Sequence, residues 1–207
     1  VRWLVGEEPR DVVDLGAGTG KLTRSLVALG HRVTAVEPLT EMIAHLLAAV
    51  PGVTAVQGEA EAIPLEAESA DVVVAAQAFH WFDHGPALRE IARVLRPGGS
   101  IALVWNTRDD REPWVAQLSD DVLGSEGLEE RDAAAPVRES GLFDEVERAE
   151  FPHTQRLDRE GLVDRAVRPA RRVHERGQPV GPKLVTDPAE RPGDGEAALA
   201  ALQVLRD

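Results

Sequence analysis

Apolar positions along this chain follow two periods in turn. Short unbroken apolar runs recur from residue 12 onward, and stretches with apolar side chains every three or four positions lie between them. Val12-Val13-Asp14-Leu15 reads as a buried strand that leads straight into glycines. Leu22, Leu26 and Leu29, with Val27, follow at helical spacing, and Gly30 is placed to end that helix. Arg32-Val33-Thr34-Ala35-Val36 predicts a second strand. Thr40 can cap the next helix, with Met42, Ile43, Leu46 and Leu47 on its inner face. Pro51-Gly52 turns the chain into a third strand over residues 53–57. Residues 71–76 form a fourth, whose continuous apolar character suits a central strand covered on both faces. Leu88, Ile91, Ala92 and Leu95 share a stripe on a helix over residues 86–95, which Arg96-Pro97-Gly98-Gly99 stops. Residues 100–105 predict a fifth strand.

This alternation implies an α/β fold, Rossmann-like and doubly wound, with a mostly parallel sheet and helices on both faces. Beyond Trp105 the pattern loosens. Trp114, Leu118, Val122 and Leu123 suggest a helix, residues 146–151 a sixth strand, and residues 158–167 a short helix with Leu162, Val163 and Ala166. Residues 167–207 contain 5 Pro, 4 Gly and no aromatic residue. Only Leu184-Val185-Thr186 resembles a strand there, and residues 196–205 read as a short helix. The chain therefore divides into a domain over residues 1–166 and a tail over 167–207. Two accounts of the tail stay open: poorly ordered chain, or the product of a shifted frame in GC-rich coding DNA. On either account the last, antiparallel strand of the sheet is expected to be missing, with residues 146–156 able to supply the one before it.

Charge and composition narrow the function. The formal net charge is −13, which repels phosphate backbones, so no nucleic-acid partner is expected. Residues 151–207 are nearly balanced, with 10 basic and 9 acidic side chains, so the negative excess belongs to residues 1–150. No apolar run approaches the length of a membrane helix, and the first ten residues carry no signal-peptide core. There is no cysteine, which excludes disulfides and thiolate metal sites. No metal site and no membrane partner are expected, and a cytoplasmic location follows by default.

The chemistry concentrates at Asp14-Leu15-Gly16-Ala17-Gly18-Thr19-Gly20, between the first strand and its helix. A dinucleotide site would use G-x-G-x-x-G and rest a pyrophosphate on the helix N-terminus. Here the spacing is G-x-G-x-G, Lys21 falls where the third dinucleotide glycine would stand, and Asp14 suits a cation better than a pyrophosphate. Glu37, followed by Pro38, ends the second strand, where a carboxylate can accept two ribose hydroxyls. That role supports a nucleoside without choosing its class, and a lone G-x-G can also be nothing more than a tight turn.

These residues resemble the class I S-adenosylmethionine-dependent methyltransferases, in particular their methyltransferase type 11-like small-molecule branch. The glycine turn resembles the first family motif, and Val36-Glu37-Pro38 its ribose acid. Gly58-Glu59-Ala60-Glu61-Ala62-Ile63-Pro64-Leu65 is similar to the adenine loop, usually written with Asp where Glu59 stands. Leu95-Arg96-Pro97-Gly98-Gly99 is similar to the turn before strand five. The resemblance covers roughly residues 10–160 and implies S-adenosylmethionine as cofactor. It implies Asp14, Gly16, Ala17, Gly18, Glu37, Pro38, Glu59, Ala60 and Gln77 as its contacts, with Glu59 toward the adenine amino group and Gln77 beside the methionine moiety. It also implies an N-terminal capping segment that the sequence given lacks.

Gln77-Ala78-Phe79-His80-Trp81-Phe82-Asp83-His84 follows strand four, at the end of the sheet where ligands lie in such folds. His80 is the candidate catalytic base, and His84 could serve instead. The plainer alternative makes His80 a structural donor and Phe79, Trp81 and Phe82 packing. Asn106 is either an acceptor contact or a helix cap. The implied activity is methyl transfer to a small-molecule acceptor; the alternatives are an inert S-adenosylmethionine-binding remnant and a nicotinamide oxidoreductase.

Overall fold

The computed structural model describes residues 1–107, 109, 111–118, 134–144, 146–156, 158 and 198–206. In chain order the elements are α1 (Arg2–Val5), β1 (Asp11–Leu15), α2 (Lys21–Ala28), β2 (Arg32–Glu37), α3 (Thr40–Ala49), β3 (Thr54–Gln57), β4 (Ala70–Ala76), a 3₁₀ turn (Phe79–Trp81), α4 (His84–Val94), β5 (Leu95–Thr107), α5 (Pro113–Leu118), α6 (Ala135–Ser140), β6 (Glu147–Arg156) and β7 (Ala198–Arg206). The strands form one sheet in the order β3-β2-β1-β4-β5-β7-β6. β1 pairs in parallel with β2 and β4, β2 with β3, and β4 with β5. The doubly wound α/β architecture is therefore as expected.

Contacts divide the chain into two units. The first holds Val1–Asn106, Glu130–Phe151 and Leu202–Asp207; the second holds Thr107–Glu129 and Pro152–Ala201. In the second, the described part includes α5, where Val115 is fully buried.

Within the first unit the strand period of two sends alternate side chains into two apolar layers. Val13 and Leu15 of β1 join Val73, Ile101, Leu88 and Ile91, which places α4 on that face. Val12 joins Val72, Val74 and Leu26 of α2 on the other face, together with Leu4 and Val5 of α1. Trp3 meets Phe151 edge to face at 5.9 Å. No apolar period pointed to α1 or α6, which have four and six residues and too few turns to show one.

Several expectations are corrected. Leu39, not Thr40, occupies the cap position of α3, and no side chain caps that helix. Of its expected inner face only Leu46 is fully buried, and Leu47 is exposed. α4 begins at His84, ahead of Pro86, because proline is tolerated in a first helical turn. β5 begins at Leu95, so Arg96 to Gly99 lie inside the strand, with a register shift opposite Ala70 and Val72. The helix expected over 196–205 is a strand where it is described: Ala198–Arg206 is β7, and it lies between β5 and β6. The sheet thus has the strand expected to be missing, and the β5 edge is paired. Short runs of Ala, Leu and Val satisfy either period, which is why the segment read as a helix. The helix expected over 158–167 and the boundary at 166 lie outside the described residues, apart from Asp158. Among the described residues, no helix is long and apolar enough to cross a membrane.

At the amino ends of β1 and β4 a charged lattice ties the strands. Asp11 N–H donates to Asp71 Oδ2 at 2.8 Å, and Arg96 Nη1 reaches Asp71 Oδ1 at 2.7 Å and Asp11 Oδ2 at 3.0 Å. Arg32 Nε bonds Asp11 Oδ1 at 2.6 Å. The Arg32 hydrogen bond holds the Asp11 carboxyl below the usual range, and the Asp11 N–H does the same for Asp71.

Because β7 lies between β5 and β6, a chain ending at residue 197 should expose the β5 edge. It should melt several degrees lower than the full chain and aggregate on warming, read by circular dichroism and light scattering. An unchanged melting temperature would show that β7 contributes nothing to the sheet.

Candidate active site

Parallel pairing brings the carboxyl ends of β1 to β5 to one edge, where such folds bind ligands. The turn after β1 occupies its middle. Gly16, Gly18 and Gly20 have φ of 70°, 57° and 78°, a region that side chains seldom adopt. Space distinguishes the three. A Cβ on Gly16 would stand 2.7 Å from Ala78 Cβ, and one on Gly20 would stand 2.8 Å from Leu46 Cγ. A Cβ on Gly18 would meet nothing within 4 Å. Gly16 and Gly20 are thus required by packing, whereas Gly18 borders open space.

The turn's amide hydrogens are directed into the protein. Gly16 N–H and Ala17 N–H both donate to the Val36 carbonyl, at 2.8 and 3.2 Å, and Gly20 N–H donates to Ala17 O at 3.0 Å. Gly18 N–H donates to Glu37 Oε2 at 2.9 Å, and Leu39 N–H to Glu37 Oε1 at 3.2 Å. Glu37 is 6% exposed. Pro38 is exposed, and its carbonyl accepts from Gln57 Nε2. These donors are therefore spent, and a pyrophosphate at this turn would face two carboxylates instead of a row of free N–H groups.

Asp14 is 1% exposed, and its Oδ2 accepts the Thr23 hydroxyl proton at 2.6 Å. Burial pushes its carboxyl up to about 6; the Thr23 hydroxyl and N–H oppose that rise, and the nearby Glu37 charge adds to it.

The loop after β3 places Glu59 on the surface and buries Ala60. Its far end is clamped from α4. Arg93 donates to the carbonyls of Ile63 and Leu65, and Glu90 accepts the Ile63 N–H at 2.9 Å. Glu61 accepts the Asp83 N–H at 2.6 Å, which joins this loop to the segment after β4.

That segment begins at Gln77, whose φ of 55° is unusual for a residue with a side chain. Its N–H donates to Val104 O, and its Nε2 donates to Asn106 O at 3.2 Å. The two histidines part company here. His84 stacks on Phe79 at 4.4 Å, and its Nε2 lies 3.2 Å from Phe79 O, so it is a structural partner of the core. His80 is on the surface with its ring 4.8 Å from that of Trp81. Neighbouring protein desolvates the His80 imidazole and lowers its pKa. Phe79 is core, Phe82 is half-buried against it, and Trp81, at 63% exposed, is not core.

The structure therefore brings Asp14, Gly16, Ala17, Gly18 and Glu37 together at the carboxyl ends of β1 and β2, with Gly16 and Ala17 bonded to Val36 O, Gly18 to Glu37, and Asp14 to Thr23. Gln77 is tied to β5, Ala60 lies in the clamped loop, and Glu59, Pro38 and His80 point to the surface around them. Sequence reasoning missed Thr23, a polar side chain on the helix stripe that Leu26 shares. It also missed the Glu90–Arg93 pair, although that pair stands at i, i+3 spacing on α4. Among the described residues, no group of three or more ligating side chains gathers to hold a metal.

Known proteins share this fold and sequence pattern. A family model for a methyltransferase domain matches residues 13–103. An uncharacterized methyltransferase of Mycobacterium tuberculosis is 46% identical over 164 residues, which is 79% of this chain and 66% of that protein. A methyltransferase-like protein of Schizosaccharomyces pombe is 45% identical over 122 residues, which is 56% of this chain and 48% of that protein. A solved structure assigned to the type II methyltransferases, from Anaeromyxobacter dehalogenans, is 26% identical with a TM-score of 0.62, covering 99% of this chain and 91% of that one. The chain thus spans between about half and just under two thirds of the length of these curated relatives.

The two glycines facing different space should respond differently. Gly18→Ala should cost about 1–2 kcal/mol for its backbone conformation alone. Gly16→Ala should cost that plus about 1–3 kcal/mol for overpacking against Ala78. Urea denaturation of both variants reads the difference, and equal losses would rule out close packing of Ala78 on the turn.

Proposed function

We propose that this chain is a class I S-adenosylmethionine-dependent methyltransferase and that it transfers a methyl group from S-adenosylmethionine to a small-molecule acceptor. The observation that carries the proposal is the direction of the turn's hydrogen bonds. With Gly16, Ala17 and Gly18 N–H groups donated to β2, the turn offers buried carboxylates and open space at Gly18. That set fits a ligand with a cationic head and a ribose and no phosphate. A nicotinamide dinucleotide fits it poorly.

In this reading the Gly16-Ala17-Gly18 main chain lies along the ligand, and the negative charge of Asp14 favours its ammonium group. Glu37 uses its remaining lone pairs for the ribose hydroxyls, beside Pro38. Ala60 offers its backbone to the adenine ring and Glu59 its carboxylate to the adenine amino group. Gln77, fixed by its bond to Asn106 O, borders the methionine moiety. When bound, S-adenosylmethionine supplies an electrophilic methyl on a sulfonium. The chain's contribution is alignment of the acceptor with that methyl, and alignment supplies much of the rate of an in-line displacement. Where the acceptor arrives protonated, His80 takes its proton: an imidazole with a lowered pKa is neutral at pH 7 and ready to accept one.

Calorimetry with S-adenosylmethionine and NAD side by side should give binding of the first alone. Glu37→Ala should weaken it by about 1.5–3 kcal/mol, the scale of hydrogen bonds to a charged group. Incubation with methyl-labelled S-adenosylmethionine and metabolite extracts should release S-adenosylhomocysteine. Preferential binding of NAD, or unchanged affinity in Glu37→Ala, would defeat this reading.

A further inference from the structure

Thr23 is fully buried on α2, a helix that follows the glycine turn directly. A buried helical threonine ordinarily returns its hydroxyl to a carbonyl one turn back. Thr23 instead gives its proton to Asp14 Oδ2 at 2.6 Å, on the neighbouring strand. Its backbone N–H faces the same carboxylate. Thr23 is the third residue of α2, and Gly20 at the cap position offers that helix no side-chain acceptor. Asp14 therefore takes the place of a capping side chain, and the helix N-terminus in turn favours its negative charge.

We propose that Thr23 is a positioning residue of the cofactor site: its hydroxyl keeps the buried Asp14 carboxylate ionised and aimed beneath the glycine turn, and so sets the lower pH limit of cofactor binding. The proposal rests on the reading of the turn as an S-adenosylmethionine site. The groups facing Asp14 are few. β2 contributes the Glu37 carboxylate, β4 only the apolar Val72 and Val74, and α2 only Thr23, because Lys21 and Arg24 are exposed. Among the described residues nothing positive offsets the Asp14 charge, so there the hydroxyl and the helix N-terminus carry that task until a cationic head arrives.

The sign follows from burial. Burial raises the Asp14 pKa to about 6 and the Thr23 contacts oppose the rise, so loss of the hydroxyl raises it further. The carboxylate then loses its charge at a higher pH. Affinity for S-adenosylmethionine should therefore fall as pH drops through about 6 in the natural chain, and about one unit or more higher in Thr23→Val. Thr23→Ser should keep the natural profile. Above pH 8 the variants should agree within a few-fold, and adenosine, which has no amino-acid head, should show no such inflection with any of them.

The test is calorimetry from pH 5 to 9 with S-adenosylmethionine and adenosine on the natural chain, Thr23→Val and Thr23→Ser. Carbon-13 titration of the Asp14 carboxyl in the natural chain accompanies it. The Asp14 midpoint should move down with S-adenosylmethionine and stay in place with adenosine, a readout that survives failure of any variant to fold. An unchanged binding midpoint in Thr23→Val overturns the proposal and leaves the cofactor assignment standing. So does an Asp14 midpoint that ignores S-adenosylmethionine. A chain that binds no S-adenosylmethionine at any pH removes the assignment and the proposal together.

Discussion

The hold of β2 on the glycine turn is the constraint on which the site depends. The Val36 carbonyl takes two N–H groups of the turn and the Glu37 carboxylate takes a third. Those bonds decide which way the turn faces. With three of its donors held by β2, the turn presents carboxylate and open space at the sheet edge, a poor seat for a pyrophosphate. In the proposed site Glu37 would serve the fold and the ligand with the same side chain, which makes its position at the last residue of a buried strand restrictive. A shorter acid there would lose either the turn or the ribose.

Much of this was legible in the sequence. Five parallel strands and their helices follow from period alone, because each apolar run in residues 12–105 is long enough to commit to one geometry. Asp14, the three glycines and Glu37 were legible because rare residue types stand at the ends of those strands. What escaped has a physical reason in each case. Thr23 donates across space to a residue nine positions earlier, and no local pattern reports such a bond. Leu29 and Val27 looked like core, yet α2 ends at Ala28 and Val27 is exposed. β7 was hidden because it follows a long Pro- and Gly-rich segment and carries no aromatic or β-branched cluster. A strand whose place is settled by its neighbours in the sheet need not announce itself in its own composition.

The segment after β4 shows how one short stretch divides its tasks. Phe79 is anchored in the core and His84 stacks on it, so the turn between them is held from below. Ala78 closes on Gly16, which no larger residue at position 16 would allow. His80 and Trp81 are left on the outside by that anchoring. Their exposure is a product of packing, since the two rings on either side of them in sequence, Phe79 and Phe82, point inward.

The clamp on the loop after β3 has a consequence for how a nucleoside would arrive. Arg93 and Glu90 bond the main chain of Ile63 and Leu65, and Glu61 bonds that of Asp83. The wall that would meet the base is thereby preorganised by the protein's own side chains. Little ordering entropy remains to be lost on association, so the encounter should be limited by diffusion and not by loop folding. Discrimination among nucleosides then falls to the shape of a fixed wall, which can reject a larger base but cannot yield to one.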